Sequence, residues 1–527
     1  MTGTSMERYL LGIDIGTSAC KVIAVDSRGQ VAAKATGDYP VMSLRPGWAE
    51  QDPEYWWRAA DKAVTDVLAR LPDRRAVQGI GLSGQMHGLI ALDKNDNVLR
   101  PAILWCDQRA APYCDEITAK AGGLQGLLEL VQNRMLPGFT AGKLLWMREH
   151  EPELFARLHR MLNPKDYLRL RLTGEHVTDV SDASGTGLFD VRNRRWSKPL
   201  MRLLDLPESI LPGVVESSDR AGVLLPELAT RWGLQPATPV FGGGGDSVIQ
   251  TTSMGVIDSG PLGVTLGTAG IVAGGMRSCP VPTGQLQISC GNAPGRWHVM
   301  GVTLTAGGAF EWLKQALAGV SPATATLSFE RMISMAREAP AGSGGLLFLP
   351  YLLGERCPHV AADGRAAWIG LTSMHGAPHL VRSVMEGVLL NIRTIAALCV
   401  SSGLACDEIR ASGGAMSEPF WSQLLADVLQ REVTTVTGAA EGGAYGAVLA
   451  AGVGSGWWST LDEAVATLEV TSRTAPDRAL DSLYAARFNT FRGLYDALQP
   501  VVAQIAAETA QTNTNVPLQP TSSIEAT

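Results

Sequence analysis

The sequence predicts an α/β protein of two large, similarly built halves around a cleft. Three observations carry this. The chain has 527 residues, more than one hydrophobic core usually organises. Short apolar strands rich in Val, Ile and Ala alternate with helical stretches along its length. One strand–turn–strand pattern also occurs twice, as GIDIGTSACKVIA (12–24) and GVTLGTAGIVAGG (263–275), and the frames align Gly16-Thr17-Ser18 with Gly267-Thr268-Ala269.

The elements follow in order. Strands are expected over 9–15, 20–26 and 31–36, bounded by Gly and Asp. A helix over 53–69 starts with Pro53 in its first turn, where a missing N–H costs nothing. A further strand ends at GLSGQMHG (81–88), and helices follow near 109–120, 141–150 and 153–158. The second half repeats the hairpin. It continues with helices over 307–317 and 378–399, a strand over 408–412 running into Gly413-Gly414, and helices over 419–429 and 442–451. The end, ETAQTNTNVPLQPTSSIEAT, is polar and Thr-rich and is expected to be disordered. The resulting division is a tail over 1–8, a first domain over 9–253, a second over 254–502 and a disordered tail over 503–527.

Composition excludes several function classes. Hydrophobic residues make up 46% and charged residues 18%, which suits large cores rather than disorder. A net charge of −7 argues against nucleic acid or an anionic membrane as partner. The start, MTGTSMERYLLG, lacks the basic end and long apolar run of a secretory signal. The apolar region around 260–276 is Gly-rich and short for a membrane span. Eight cysteines without a Cys-x-x-Cys pair suggest reduced thiols in a cytoplasm. His375 and His379 are four apart, but Gly376 and Pro378 lie between them and no metalloprotease Glu follows His375, so they do not form a metal motif.

The chemistry concentrates at strand ends. Gly16-Thr17-Ser18, Gly267-Thr268-Ala269 and Gly413-Gly414-Ala415 are three Gly-rich turns whose backbone N–H groups can approach phosphate. No G-x-x-x-x-G-K-[ST] is present, so this is not a P-loop. GIGLSG (79–84) fits G-x-G-x-x-G literally, but its middle is itself the strand and no helix start follows, which removes the dinucleotide reading. Asp14 is an acid inside an otherwise apolar strand. Its two readings are a structural ion pair, with Lys21 or another base, and a ligand for hydrated Mg²⁺ beside bound phosphate. Asp14 aligns with Thr265, so only the first hairpin carries the acid. Asp246 follows four glycines in PVFGGGGDSVIQTT (239–252). It could be a helix N-cap, yet four glycines suit an acid aimed into a cleft better. Trp56-Trp57 lies in a predicted helix and is expected in the core.

With these residues assembled, the chain resembles the FGGY carbohydrate kinases over 9–453, above all their xylulose-phosphorylating members. GFTAGKLLWMREH (138–150) and AAWIGLTSMHGAPHLVRSVMEG (366–387) match the two family signatures. GWAEQDPEYWW, GQMHG, RPAILWCDQR, NPKDYLRLRLTGE, SDASGTG and FLPYLLGERCPH add to the match. The resemblance implies the actin/hexokinase/Hsp70-like fold of two ribonuclease-H-like domains. The first would carry the sugar and Mg²⁺/phosphate side and the second the adenosine side. It implies ATP and Mg²⁺, with Asp246 as catalytic base, Asp14 as the Mg²⁺-associated acid, and Met86, His87, Trp105 and Asp107 at the sugar. Gly16, Thr17, Ser18, Gly267, Thr268, Gly413, Gly414 and Ala415 would hold the nucleotide. Lys143 and Trp146, within the first signature, are expected to be structural. The implied reaction is ATP-dependent phosphorylation of a ketopentose, D-xylulose first. Ribulose, L-xylulose or a related polyol or hexulose is the alternative, and a non-kinase actin/Hsp70-like ATPase a distant one. A small-molecule sugar and MgATP are the expected partners, and a homodimer is left open. Cys106 and Ser247 stand where many xylulose-phosphorylating members have Asn, and GTAG replaces the commoner GTSG. Two of these departures adjoin the expected sugar pocket.

Overall fold

The computed structural model describes residues 7–318 and 327–513. Chain order begins with the strands β1 (Tyr9–Ile15), β2 (Ala19–Asp26) and β3 (Val31–Asp38), an antiparallel meander. Helix α1 (Pro53–Leu68) is capped by Asp52, whose carboxylate accepts from the Glu54 N–H. It buries Trp56, Ala60, Ala63, Val64 and Val67, one apolar face at helical spacing, so the Trp pair lies in the core. Strand β4 (Val77–Gly84) returns parallel to β1. GIGLSG is therefore the strand itself. A long insertion follows, containing α2 (Thr140–His150) and α3 (Pro164–Thr173). Strands β5 (Arg220–Val223), β6 (Pro239–Phe241) and the two-residue β7 (Gly244–Gly245) complete the first sheet, ordered β5-β6-β4-β1-β2-β3 with β7 also on β4.

Helix α4 (Asp246–Ser253) leads into the second sheet. Its strands are β8 (Leu262–Leu266), β9 (Gly270–Met276), β10 (Gln287–Cys290), β11 (Trp297–Thr303), β12 (Ile409–Ser412), β13 (Val433–Val436) and β14 (Val470–Thr474). The order is β10-β11-β9-β8-β12-β13-β14. Both sheets share a run of three antiparallel strands continued by two parallel ones, β3-β2-β1-β4-β6 and β11-β9-β8-β12-β13, with further antiparallel strands at the edges. That shared order is the actin/hexokinase-like arrangement.

Helices α5 (Gly307–Leu317), α6 (Ala377–Ser401) and α7 (Pro419–Leu429) pack around the second sheet. By length and composition alone α6 could cross a bilayer, yet most of it is buried in the second core. Helix α8 (Gly443–Gly454) crosses back and lies on β1 and β4 of the first sheet. Its small residues allow a close approach, and the sheet contributes Gly12 and Gly81. A methyl at either would sit 2.1 Å from a backbone oxygen of α8, that of Ala444 or Ala447. Where α8 crosses α4, a methyl at Gly446 would lie 2.0 Å from the Ile249 oxygen.

One boundary is corrected. Helix α9 (Leu494–Asn513) runs through the residues expected to be disordered from 503 onward. AQIAAETAQ (503–511) is built mostly of Ala, Gln and Glu, strong helix formers, and Gln504 bonds Glu508 one turn on at 2.9 Å. The polarity that suggested disorder is equally compatible with an exposed helix. Residues 514–527 and 1–6 of the expected tails lie outside the described residues.

Candidate active site

Asp14 sits near the end of β1, with Lys21 across from it on β2 and Ser83 on β4. Ser83 Oγ donates to Asp14 Oδ1 at 2.7 Å. Lys21 does not close an ion pair with Asp14. Its Nζ pairs with Glu441 at 3.5 Å. Burial pushes the Asp14 carboxyl above the usual range, against the Ser83 bond and the charge of Lys21. Helix α8 starts at Gly443 against this pair, where a methyl would lie 2.3 Å from Ser83 Oγ. Asp14 is only partly buried, and no group of three metal-ligating side chains occurs among the described residues. One carboxylate beside a Gly-rich turn fits a hydrated Mg²⁺ carried largely by water and phosphate, not an all-protein cage.

Asp246 is the first residue of α4, with Gly245 as the N-cap, so the simple capping reading fails. The glycines before it are enforced by neighbours. Gly243 has φ +67°, and a methyl there would lie 1.9 Å from the Leu82 oxygen. At Gly245 it would lie 2.6 Å from Met86 Cγ. Asp246 Oδ1 accepts from the Ser247 N–H at 2.6 Å and from Ser247 Oγ at 3.1 Å. Oδ2 has no hydrogen-bond partner among the described residues. Burial pushes the carboxyl up to about 7, the charge of Asp14 adds to this, and the Ser247 bonds oppose it. An acid that ionises near neutrality with one oxygen free is suited to take a proton.

Beneath Asp246 lies a buried network. The Gly245 N–H donates to Ser181 Oγ at 3.0 Å, and Ser181 Oγ donates to Asp179 Oδ2 at 2.5 Å. Asp179 pairs with Lys165 at 3.0 Å, and Lys165 also pairs with Asp166 and Asp182. Sequence reasoning did not assign these residues. Their signal was present in NPKDYLRLRLTGE and VTDVSDASGTG (177–187), where charges interrupt segments that otherwise look buried.

Met86 and His87 follow β4. Met86 is 3% exposed and His87 9%, and both press on Gly185, where a methyl would lie 2.5 Å from His87 Nδ1 and 2.9 Å from Met86 Cε. His87 adopts φ +70°. Its Nδ1 lies 2.6 Å from the Gly185 oxygen, so Nδ1 carries the proton and Nε2 is an acceptor. Burial pulls the imidazole down to about 3, and the charges of Lys143 and Arg356 add to this against the Gly185 bond. It is a neutral acceptor. Half-buried Trp105 donates from Nε1 to Thr17 Oγ1 at 2.9 Å, tying its loop to the first Gly-Thr turn.

Asp107 is a correction. It is 0% exposed. Its oxygens accept from the Ala49 N–H at 2.6 Å and from Arg109 through its backbone N–H, Nε and Nη2 at 2.8–2.9 Å. No lone pair is left facing a sugar. Asp107 anchors the loop that carries Trp105 and Cys106. The motif gave the position but not the Arg109 fork two residues on.

In the second half the Gly-rich turns meet around one cavity of about 840 Å³, walled by Gly267, Thr268, Gly414 and Ala415 together with Phe310 and Trp421. Gly413 makes this possible at φ +98°, since a methyl there would lie 2.4 Å from the Leu266 oxygen. Gly307 and Gly308, at the start of α5, also line it. Their N–H groups donate to the Gly267 and Thr268 oxygens at 2.8 and 3.1 Å. The sequence reading passed over this pair. Gly16-Thr17-Ser18, Asp14 and Asp246 are not on the wall of this cavity. The site therefore has two ends: acids and a neutral histidine in the first half, and a large, mostly apolar chamber in the second.

Two family profiles match. That of the FGGY family of carbohydrate kinases, N-terminal domain, covers residues 9–253, and that of the C-terminal domain covers 262–455. The chain belongs to the FGGY family of carbohydrate kinases. This FGGY kinase is 37% identical to the xylulose kinase of Escherichia coli (strain K12) over 496 residues, 94% of this chain and 100% of the relative. Its fold superposes on ligand-bound xylulose kinase from Lactobacillus acidophilus with a TM-score of 0.88 at 26% identity, covering 94% of this chain and 100% of that one. It superposes on gluconate kinase from the same organism with 0.87 at 26%, covering 95% and 100%. The family assignment makes the chain a sugar kinase and removes the non-kinase ATPase reading.

Proposed function

We propose that this FGGY kinase transfers the γ-phosphoryl group of ATP to the terminal hydroxyl of D-xylulose, giving D-xylulose 5-phosphate and ADP. The observation that carries the chemistry is the free Oδ2 of Asp246, on a carboxyl held near neutrality. The choice of sugar rests on full-length similarity to xylulose kinases.

In this reading the hydroxyl oxygen attacks the γ-phosphorus, the bond to the bridging oxygen of ADP breaks, and the hydroxyl proton passes to Asp246. Met86, the neutral His87 and Trp105 line the sugar. Backbone N–H groups of Gly16, Thr17, Ser18, Gly267 and Thr268 stabilise phosphate oxygens. Gly413, Gly414 and Ala415 border the adenosine chamber. Mg²⁺, when bound, supplies neutralisation of phosphate charge, and Asp14 is the residue that would hold it through water. Closure of the halves excludes water as a competing acceptor. Eight free thiols support a cytoplasmic setting, with the sugar and MgATP as ligands and a homodimer left open. A second reading, another ketose, polyol or sugar acid, is favoured by Cys106 and Ser247 and by a structural likeness to gluconate kinase that equals the likeness to the xylulose kinase of the same organism. An ADP-coupled assay over pentuloses, hexuloses, polyols and gluconate separates them. D-Xylulose should be preferred over its C3 and C4 epimers, and equal use of several pentuloses would overturn the choice.

A further inference from the structure

Lys143 lies in α2 within GFTAGKLLWMREH, fully buried. Its Nζ donates to the His87 oxygen at 2.8 Å and to the Gly138 oxygen at 2.7 Å. No carboxylate forms an ion pair with it among the described residues. Burial pulls the Lys143 ammonium down to about 7, and the charge of Asp107 opposes this, but the Asp107 carboxylate is itself taken by Arg109. A buried ammonium served mainly by carbonyls is an expensive way to fill a core position, so its two acceptors point to its purpose. One is the carbonyl of His87, a non-glycine residue in the left-handed region at φ +70°. Thr140 Oγ1 donates to the same oxygen at 3.1 Å. The other belongs to Gly138, whose Cα packs so closely on the Trp105 backbone that a methyl would lie 2.5 Å from its oxygen. One ammonium thus joins the turn that presents His87 to the segment that supports Trp105.

We propose that Lys143 is a positioning residue of the sugar site: by binding the carbonyls of His87 and Gly138 it holds His87 and Trp105 at the spacing a ketose requires. This rests on the reading that His87 and Trp105 face the sugar. Unlike a purely structural lysine, it acts on sugar affinity and leaves nucleotide affinity alone.

The test is steady-state kinetics with D-xylulose and ATP on Lys143→Met, Lys143→Gln, His87→Ala and the Lys143→Met/His87→Ala double variant, with folding followed by circular dichroism. Lys143→Met should raise the sugar KM about ten-fold or more, the loss of roughly one charge-assisted hydrogen bond. The ATP KM should stay within about two-fold. Lys143→Gln, which keeps an amide donor, should recover part of the loss. The effect of the double variant should be smaller than the product of the two single effects, because part of what Lys143 does runs through His87. An unchanged sugar KM in folded Lys143→Met, equal rises in both KM values, or an additive double variant overturns the proposal. If Lys143→Met does not fold, Lys143→Gln is judged by the same split between the two KM values. An unchanged sugar KM in His87→Ala alone would overturn the placement of the sugar instead.

Discussion

Thr265 stands in the second sheet where Asp14 stands in the first. Asp14 on β1 accepts from Ser83 on the parallel strand β4 at 2.7 Å, and Thr265 on β8 bonds Ser412 on the parallel strand β12 at 2.9 Å. The hydroxyl partner is kept in both halves and the charge in only one. A role confined to folding would be served equally well by the uncharged pair, which supports the proposed role of the Asp14 carboxylate beside the phosphates.

Asp14→Ala should lower kcat by about 10²–10³, as expected for losing one preorganised electrostatic contact, with sugar binding retained and partial recovery at high Mg²⁺. Titration of activity against Mg²⁺ checks it. Full specific activity in a destabilised Asp14→Ala protein would return the residue to a structural role.

Asp246→Asn preserves shape but cannot take the proton. Turnover should fall by about 10²–10⁴ while calorimetry still detects both ATP and sugar. Near-normal turnover by the folded variant would remove Asp246 from the mechanism.

The pH profile of kcat/KM should have an acid limb near pH 7, where Asp246 ionises. The base must be unprotonated, so activity is lost as pH falls through this value. Asp14 raises the proton affinity of Asp246. Asp14→Asn should therefore move the limb of its residual activity toward lower pH, and a limb that stays in place would break the electrostatic link.

Gly185→Ala should raise the sugar KM about ten-fold with the ATP KM unchanged, because the added methyl would lie 2.5 Å from His87 Nδ1. The backbone there suits alanine, so the effect isolates crowding of the pocket. A sugar KM equal to wild type would mean that His87 does not face the sugar.

Much of this was legible in the sequence. The hairpins, α1, α5, α7 and the acids at positions 14 and 246 announce themselves through period, turn residues and position, all local properties. What escaped depends on partners distant in sequence. Asp107 looked free because nothing in its spacing reveals that Arg109 folds back onto it. The Lys165–Asp179–Asp182 network joins segments brought together only by packing. The acceptors of Lys143 are backbone carbonyls, which carry no side-chain signal.

Helix α8 belongs to the second half of the chain but lies on the first sheet, covering Leu10, Ile23, Val25 and Phe241. A piece of protein cut at residue 253 would keep every strand of that sheet and still expose an open apolar trough along one face. It would also lack the helix start that abuts Asp14. The two halves are therefore not interchangeable modules. Each can be synthesised in order, but the site that transfers phosphate is finished only when a helix of the second half comes to rest against the opening strands of the first.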